Sequence, residues 1–333
     1  MKDIAKDLSV SVVTVSKVLR NHGDISQETR ERVLKRMKEL NYQPNIAART
    51  LVTGRTYSIG LVVPDLVHPF FAEVAKGIAH HVRPKGYGLM ISSSEEDPEL
   101  ESQGVEFLLA RQVDALILAS VRPAPDSFER CEHRKVPCIL IDRRFADLKA
   151  NYVGVDDREV GHLATAHLIS CGCRRIAHIR GGDLSPGNAR FEGYLGALRQ
   201  AGLEFDSEYV AAARSSDDSA DISGYDAMRK LLRLTPQPDG VFCFNDPTAG
   251  GAMKAILEAG RRVPDDIALV GAGNVTYAEL LRIPLTTVDQ NSASIGDRAA
   301  RLAMKLIGEK GTQRPRSIIL PPRLIVREST RRD

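Results

Sequence analysis

The pattern of hydrophobic and polar positions changes once along the chain, near residue 58. Before that point, apolar residues recur at the three-to-four-residue spacing of short amphipathic helices. Beyond it, short runs of Val, Ile and Leu alternate with longer amphipathic stretches, as in parallel sheets covered by helices. A length of 333 residues is also long for one domain. We therefore predict an all-α head followed by an α/β body of two parallel-sheet subdomains.

Three short helices are predicted in the head. The first covers residues 2–8, and a tight turn then leads to Ser11, which can cap a second helix over Val12–Leu19. Ser26 can cap the third helix. Two short helices joined by such a turn form a helix-turn-helix pattern. The inward stripe of the third helix is expected to consist of Val33, Leu34, Met37 and Leu40.

The stretch from Tyr42 to Gly54 links the two patterns. Pro44 suits the entrance of a helix, Asn45 can cap it and Gly54 can end it. A helix this short is marginal in water by itself, so we expect it to form only with outside support. A conditional helix between two domains is a candidate coupling device.

Charge is unevenly distributed along the chain. The formal net charge is only +3, but residues 1–56 carry eleven Lys/Arg against six Asp/Glu, and the remainder is close to neutral. A basic head on a near-neutral body indicates a polyanionic partner for the head. We divide the chain into a head at 1–43, a hinge helix and linker at 44–56, and a body at 57–333.

Several long motifs resemble the lactose/galactose repressor (LacI/GalR) family of transcription regulators. They are Asp3–Asn21, Ile25–Val33, Asn41–Leu51 and, near the end of the chain, Leu324–Thr330. The resemblance implies a DNA-binding helix-turn-helix head, a hinge helix and a body like a periplasmic binding protein. One departure is Ser9, where the family's turn usually has Gly, so some backbone strain is expected there.

By that resemblance, the second helix reads DNA in the major groove. Val12, Val13 and Lys17 match positions that meet base edges; Lys17 can donate to guanine, and the valine methyls can touch thymine. Leu51 matches a leucine that relatives wedge into the minor groove. The other DNA-binding residues implied are Ser11, Thr14, Ser26, Tyr42, Asn45 and Ala48.

The body contains nine strand-like runs, from Ile59–Val63 to Leu285–Val288, which is enough for two α/β units. The resemblance implies two subdomains that face each other across a cleft, with crossings near Tyr152–Val155, near Thr286–Gln290 and once more near the end. The expected division is roughly 57–153 with 290–314 for the first subdomain, and 154–289 with 315–333 for the second.

Ligands of open α/β sheets bind beyond the carboxyl ends of the strands, so residues directly after the strands are the candidates for an effector site. Several of them match effector contacts in the family. Phe70 and Phe71 are expected to stack on a ring, and Arg190 to hold ligand oxygens. The full predicted set is Phe70, Phe71, Asp142, Arg190, Asn245, Asn274 and Gln290.

Two positions depart from the family's effector pattern. Gly273 stands where an acidic residue commonly binds two sugar hydroxyls, and Ser219 stands where relatives often have an aromatic residue. A plain aldohexose bound in the usual manner is therefore not expected. We predict an acidic or otherwise modified sugar, which a carboxylate at position 273 would repel.

Enzyme, cofactor and metal sites find no support in the sequence. His80 and His81 are adjacent, unlike a metal pair four residues apart on a helix, and neither GxGxxG nor GxSxG occurs. Asp156-Asp157 is interpreted as a helix cap. Five cysteines without a CxxC pair indicate reduced, buried thiols.

The sequence thus predicts a non-enzymatic, ligand-responsive DNA-binding regulator, most simply a dimeric repressor of carbohydrate-related genes acting on a pseudo-palindromic operator. No cofactor is expected. The absence of a signal peptide or membrane span favours the cytoplasm. A solute-binding protein or an activator built on the same body remains the alternative.

Overall fold

The computed structural model describes residues 1–19, 23–42, 50, 53–212, 220–309 and 314–332. They form two compact units, the head Met1–Thr56 and the body Tyr57–Asp333. Within these ranges, no helix is both long and apolar enough to cross a membrane. The hinge residues Asn45, Ala48 and Leu51, to which we assigned DNA contacts, lie outside the described residues.

The head consists of three helices, α1 (Lys2–Asp7), α2 (Val12–Leu19) and α3 (Gln27–Glu39). Their small core is built from Ile4, Ala5, Val15, Val18, Val33 and Met37. The prediction that Leu34 and Leu40 face inward is wrong, because both are exposed. Leu34 lies about 100° around the helix from Val33, and Leu40 is the cap residue that follows the last turn.

The body is built from two six-stranded sheets with the same strand order. The strands are β1 Ser58–Val63, β2 Gly88–Ser93, β3 Ala115–Leu118, β4 Cys138–Ile141, β5 Asn151–Val155, β6 Ile176–Arg180, β7 Val210–Ala212, β8 Gly240–Cys243, β9 Ala268–Ala272, β10 Thr286–Asp289, β11 Ser317–Leu320 and β12 Arg323–Ile325. The first sheet has the order β11-β5-β4-β3-β1-β2, and the second has the order β12-β10-β9-β8-β6-β7.

Helices cover both sheets. They are α4 Pro69–Val82, α5 Pro98–Ala110, α6 Asp126–His133, α7 Asp157–Ser170, α8 Ser185–Gln200, α9 Ala220–Leu231, α10 Asp246–Glu258 and α11 Ser292–Gly308, with short 3-10 helices at Arg83–Lys85, Ser207–Tyr209, Thr276–Glu279 and Glu328–Thr330. The central strands are almost fully buried, as expected for parallel strands with apolar faces on both sides. We call the two sheets with their helices the first lobe and the second lobe.

The chain crosses between the lobes three times: after β5, between β10 and α11, and between β11 and β12. The predicted division is wrong in one part. It assigned 315–333 to the second lobe, but β11 pairs in parallel with β5 in the first. The third crossing therefore lies at 321–322, where Pro321 and Pro322 separate two strands of different sheets.

All five cysteines are free thiols. Four of them are buried, and Cys171 is half-buried. Burial raises the pKa of the Cys173 thiol to about 11, because the thiolate would lose its hydration. The four buried thiols agree with the expectation of reduced, buried cysteines, and Cys171 differs from it in its burial.

Candidate functional site

The second helix of the head presents an exposed apolar pair at its start. Val12 and Val13 are 41% and 64% exposed, whereas Val15 and Val18 are buried, so the helix has a packed face and an outward face. The Ser11 hydroxyl accepts a hydrogen bond from the backbone N–H of Thr14 at 2.9 Å, as predicted for a cap. Ser9 has a φ of +53°, so the expected backbone strain in the turn is present.

The remaining DNA-contact candidates in the described part of the head differ in their surroundings. Ser26 caps α3, and its hydroxyl also donates to Oγ1 of Thr29 at 2.9 Å. Tyr42 is half-buried against the core of the head. Lys17 does not extend freely from α2, because its Nζ lies 2.5 Å from Oδ2 of Asp24.

At the cleft side of the second lobe, Arg190 is only 2% exposed. Its Nε donates to Oδ1 of Asp157 at 2.8 Å, and its Nη2 donates to Oε1 of Gln290 at 2.9 Å. Its Nη1 donates to the carbonyl oxygen of Phe244 at 2.7 Å. Each guanidinium nitrogen therefore has a protein acceptor, but the five N–H donors of the group outnumber the acceptors named here. A ligand oxygen can take a remaining N–H or replace one of the protein acceptors. Gln290 is the weaker of the two side-chain acceptors, because it is neutral.

Two glycines set the position of this arginine. A Cβ on Gly161 would lie 2.0 Å from the carbonyl oxygen of Arg190, and one on Gly193 would lie 2.0 Å from that of Arg158. Helices α7 and α8 therefore cross with their backbones almost in contact. This close crossing brings Asp157, in the first turn of α7, to Arg190 in α8.

Burial dominates the electrostatics of this pair. It raises the pKa of Asp157 to about 6, although the Arg190 guanidinium and its hydrogen bond oppose the shift. The pKa of Asp142, at the end of β4, is also raised by burial, and its nearest cation is Arg143 with Nε 3.7 Å from Oδ2. Two carboxylates near one arginine can accept hydrogen bonds from hydroxyl groups, as a polyol ligand requires.

Direct hydrogen bonds join the two lobes across the cleft. Nε2 of His68, the N-cap of α4, lies 3.2 Å from Nδ2 of Asn245, the N-cap of α10. The backbone N–H of Arg144 donates to Oγ of Ser185 at 2.9 Å. Burial lowers the pKa of His68 to about 4, so its ring is neutral near pH 7.

The corner around Gly273 differs from the expectation. Asn274 was assigned an effector contact, but its Oδ1 accepts from Arg327 Nη2 at 2.8 Å and its Nδ2 donates to Asp289 at 3.3 Å. The fully buried Asp246 carboxylate lies 3.3 Å from where a Cβ on Gly273 would be. The oxygens of Asp246 accept from the backbone N–H of Val275 and the hydroxyl of Thr287, so this carboxylate does not replace the missing ligand contact at position 273. Its negative charge nevertheless disfavours an acidic group of the effector nearby.

Phe70 and Phe71 are each 5% exposed and belong to the core of the first lobe. Their rings form an edge-to-face pair with centroids 5.0 Å apart, and His68 lies against the ring of Phe71. In this structure, the ring faces that we expected to stack on a ligand are largely covered by protein.

Sequence reasoning missed Asp157 and His68 as members of the site. Asp156 does cap α7, by accepting from the backbone N–H of Glu159, but the neighbouring Asp157 points inward to Arg190. Asp157 is the second residue after β5, and His68 is the fifth after β1. Both lie at strand ends, where candidates were expected, and His68 falls within the stretch after β1 that the rule selected, but neither was assigned a ligand contact.

Comparisons with known proteins agree with this architecture. Residues 1–45 match the model of bacterial regulatory proteins of the lacI family, and residues 165–330 match a periplasmic binding protein-like domain. The ribose operon repressor of Halalkalibacterium halodurans is 35% identical, over 99% of this chain and 97% of its own length. The transcriptional repressor PurR of Mannheimia succiniciproducens is 32% identical, over 100% of this chain and 98% of its own.

Solved structures show the same likeness. The lac repressor dimer bound to operator and the anti-inducer ONPF matches with a TM-score of 0.83 and 26% identity, over 98% of both chains. The complex of the transcriptional regulator CelR with cellobiose matches with a TM-score of 0.75 and 32% identity, over 98% of both chains.

The head and body therefore define a DNA-binding transcription regulator with a ligand-binding type of body, not an enzyme. The chain belongs to the lacI family of bacterial regulatory proteins.

Proposed function

We propose that this protein is a repressor of carbohydrate-related genes whose affinity for its operator changes when a small molecule binds between the two lobes. The observation that carries this proposal is the buried Arg190. It joins Asp157 of the second lobe to Gln290, which lies in the second crossing between the lobes. A ligand at Arg190 thus acts where the lobes are connected.

The mechanism follows from which contacts a ligand would replace. An effector oxygen at Arg190 competes with Gln290, and a ligand in the cleft separates His68 from Asn245. Both changes alter contacts at or between the lobes, so the effector favours a different lobe geometry. The difference in effector binding free energy between the two geometries sets how much the effector can change the affinity for the operator.

The proposed effector is a sugar other than a plain aldohexose. Asp142, Asp157 and Arg190 suit a ligand with several hydroxyl groups, and relatives include a ribose operon repressor and a cellobiose-bound regulator. Gly273 supplies no carboxylate to the ligand. Because Asp246 lies beside it and would repel an acidic group at that corner, we propose an uncharged, modified or smaller sugar.

Operator binding by a symmetric dimer completes the proposal. Two copies would place two heads on a pseudo-palindromic site, like the lac repressor dimer. A cytoplasmic location is part of the proposal, because the operator would lie on chromosomal DNA. We propose that the edge of the first lobe formed by β2 and α4 contacts the second copy in the dimer. A surface cavity of about 440 Å³ lies between these two elements, and Ile91 in its lining is 41% exposed.

Site selection with the full-length protein tests the proposal. Duplexes would be selected from a random library, and binding to the selected site would then be measured with D-ribose, D-glucose, D-galactose, cellobiose and D-gluconate. We expect a two-fold symmetric motif, one copy of the dimer per site, and a response to a sugar other than glucose or galactose. If no motif is enriched, the protein is not a sequence-specific regulator; tight glucose binding would remove the selectivity claim.

A further inference from the structure

Lys17, which we expect to read a base edge, forms an ion pair with a nearby carboxylate. Nζ of Lys17 lies 2.5 Å from Oδ2 of Asp24, which is in the turn before α3. The two side chains are 40% and 53% exposed, so the ion pair is at the surface rather than in the core. It therefore contributes little to the stability of the head.

A lysine needs such a constraint to discriminate between bases. Its ammonium group is a point charge on a flexible four-carbon stem and lacks the rigid fork of arginine. Left free, it can donate to a phosphate as readily as to a base edge. With one N–H directed to Asp24, two donors remain, and the O6 and N7 atoms of guanine offer two acceptors in the major groove.

The ion pair also changes the balance between sequence-independent binding to phosphate and sequence-specific binding to a base edge. Phosphate contacts by lysine strengthen binding to any duplex and make it salt-dependent, whereas base-edge contacts carry the sequence information. The Asp24 carboxylate offsets the charge of Lys17, so it reduces the attraction to phosphate. Donation to a base edge at short range is retained.

We propose that Asp24 is a specificity-determining residue for DNA, which positions Lys17 toward a guanine and limits its attraction to phosphate. The proposal rests on the function proposed above and on Lys17 as a base reader. Asp24 acts through Lys17 and does not itself need to touch DNA.

The test uses the full-length protein and site selection from a random duplex library, followed by binding measurements at several salt concentrations. The variants are Asp24→Asn, Lys17→Ala and the double variant. Asp24→Asn is expected to relax one base position in each half-site and to raise affinity for non-specific duplex about threefold to tenfold. The plot of log K against log salt should steepen by about 1 for each additional phosphate that the released lysine neutralises.

The other variants separate the possible outcomes. Lys17→Ala should relax the same base position without raising non-specific affinity, and adding Asp24→Asn to it should change that position no further. Asp3→Asn, which removes the same charge from α1, is the matched control for net charge.

Each failure points to a different error. If wild type selects no motif, the proposed function fails. If wild type selects a motif that Lys17→Ala leaves unchanged, Lys17 is not the base reader. If Lys17→Ala relaxes the motif but Asp24→Asn keeps wild-type preference and salt dependence, the role of Asp24 is wrong. An effect of Asp24→Asn in the Lys17→Ala background would show that Asp24 acts on DNA directly.

Discussion

The two lobes of the body share one strand order but differ in the direction of the closing strand and in their polar residues near the cleft. In both, the first strand lies next to the outer edge strand and the later strands follow in order. The closing strand is parallel in the first lobe, where β11 pairs with β5, and antiparallel in the second, where β12 pairs with β10. The strand order is thus repeated, whereas the direction of the closing strand and the polar residues near the cleft are not.

Most of the buried polar groups near the cleft belong to the second lobe. Arg190, Asp157, Asn245 and Asp246 are all buried there and paired with protein. The first lobe brings His68 and Asp142 to the cleft, and its Phe70 and Phe71 are part of its core. We therefore expect the buried side chains of the second lobe to contribute most to effector affinity.

The largest expected difference between the lobes concerns two arginines. Arg190→Ala should abolish the effector response, because it removes the donor set of the cleft, while operator binding persists. It also leaves Asp157 buried without its cation, so the body should lose about 3–5 kcal/mol of unfolding free energy. Calorimetry with the responsive sugar and urea unfolding measure the two effects.

Arg122→Ala in the first lobe is the matched control. Arg122 is partly buried and donates to Asp126, Ser102 and the carbonyl oxygen of Pro98. Its loss should destabilise the body without changing effector affinity once the variant is folded. Equal effects of both variants on effector affinity would contradict the asymmetry between the lobes.

Alanine at glycine crossings gives a second contrast. Gly161→Ala forces α7 away from the backbone of Arg190, and Gly77→Ala forces α4 from that of Ala293 in the first lobe. Each should cost roughly 1–3 kcal/mol of stability, as overpacking does. Only Gly161→Ala should also weaken effector binding, about tenfold. Unchanged effector affinity in a folded Gly161→Ala protein would mean that the crossing does not position Arg190.

The smallest expected effect concerns pH and the core of the second lobe. His178 is fully buried, stacked on Phe242, and its Nδ1 lies 2.9 Å from the carbonyl oxygen of Phe242. Burial lowers its pKa to about 3. Below an unfolded pKa of about 6.5, the unfolded chain takes up a proton that the folded chain refuses, so stability falls as pH falls from about 6.5 toward 3.

His178→Phe should remove this contribution. Between pH 6.5 and 5, the unfolding free energy of wild type should fall by roughly 1–2 kcal/mol more than that of the variant. Urea unfolding at the two pH values measures it. Parallel pH profiles of the two proteins would show that His178 is not protonated on unfolding.

Prediction from sequence worked where the cause is local. The caps of Ser11 and Ser26 each depend on a backbone N–H three residues away, and both are present. The central strands were predicted correctly because buried parallel strands need continuous runs of apolar residues, as in β3 and β4. The short strands β7, β11 and β12 were not predicted, because their existence depends on a partner strand rather than on their own composition.

The sequence by itself determined the helix-turn-helix head, the alternation of strands and helices, and the strand ends at which a site would form. Only the tertiary structure decided which of these residues meet. Arg190 reaches Asp157 and Gln290, 33 and 100 positions away, and Lys17 meets Asp24, 7 positions away. Periodicity fixes the face on which a residue lies, but the contact between two faces depends on how closely the glycines of α7 and α8 let the helices approach.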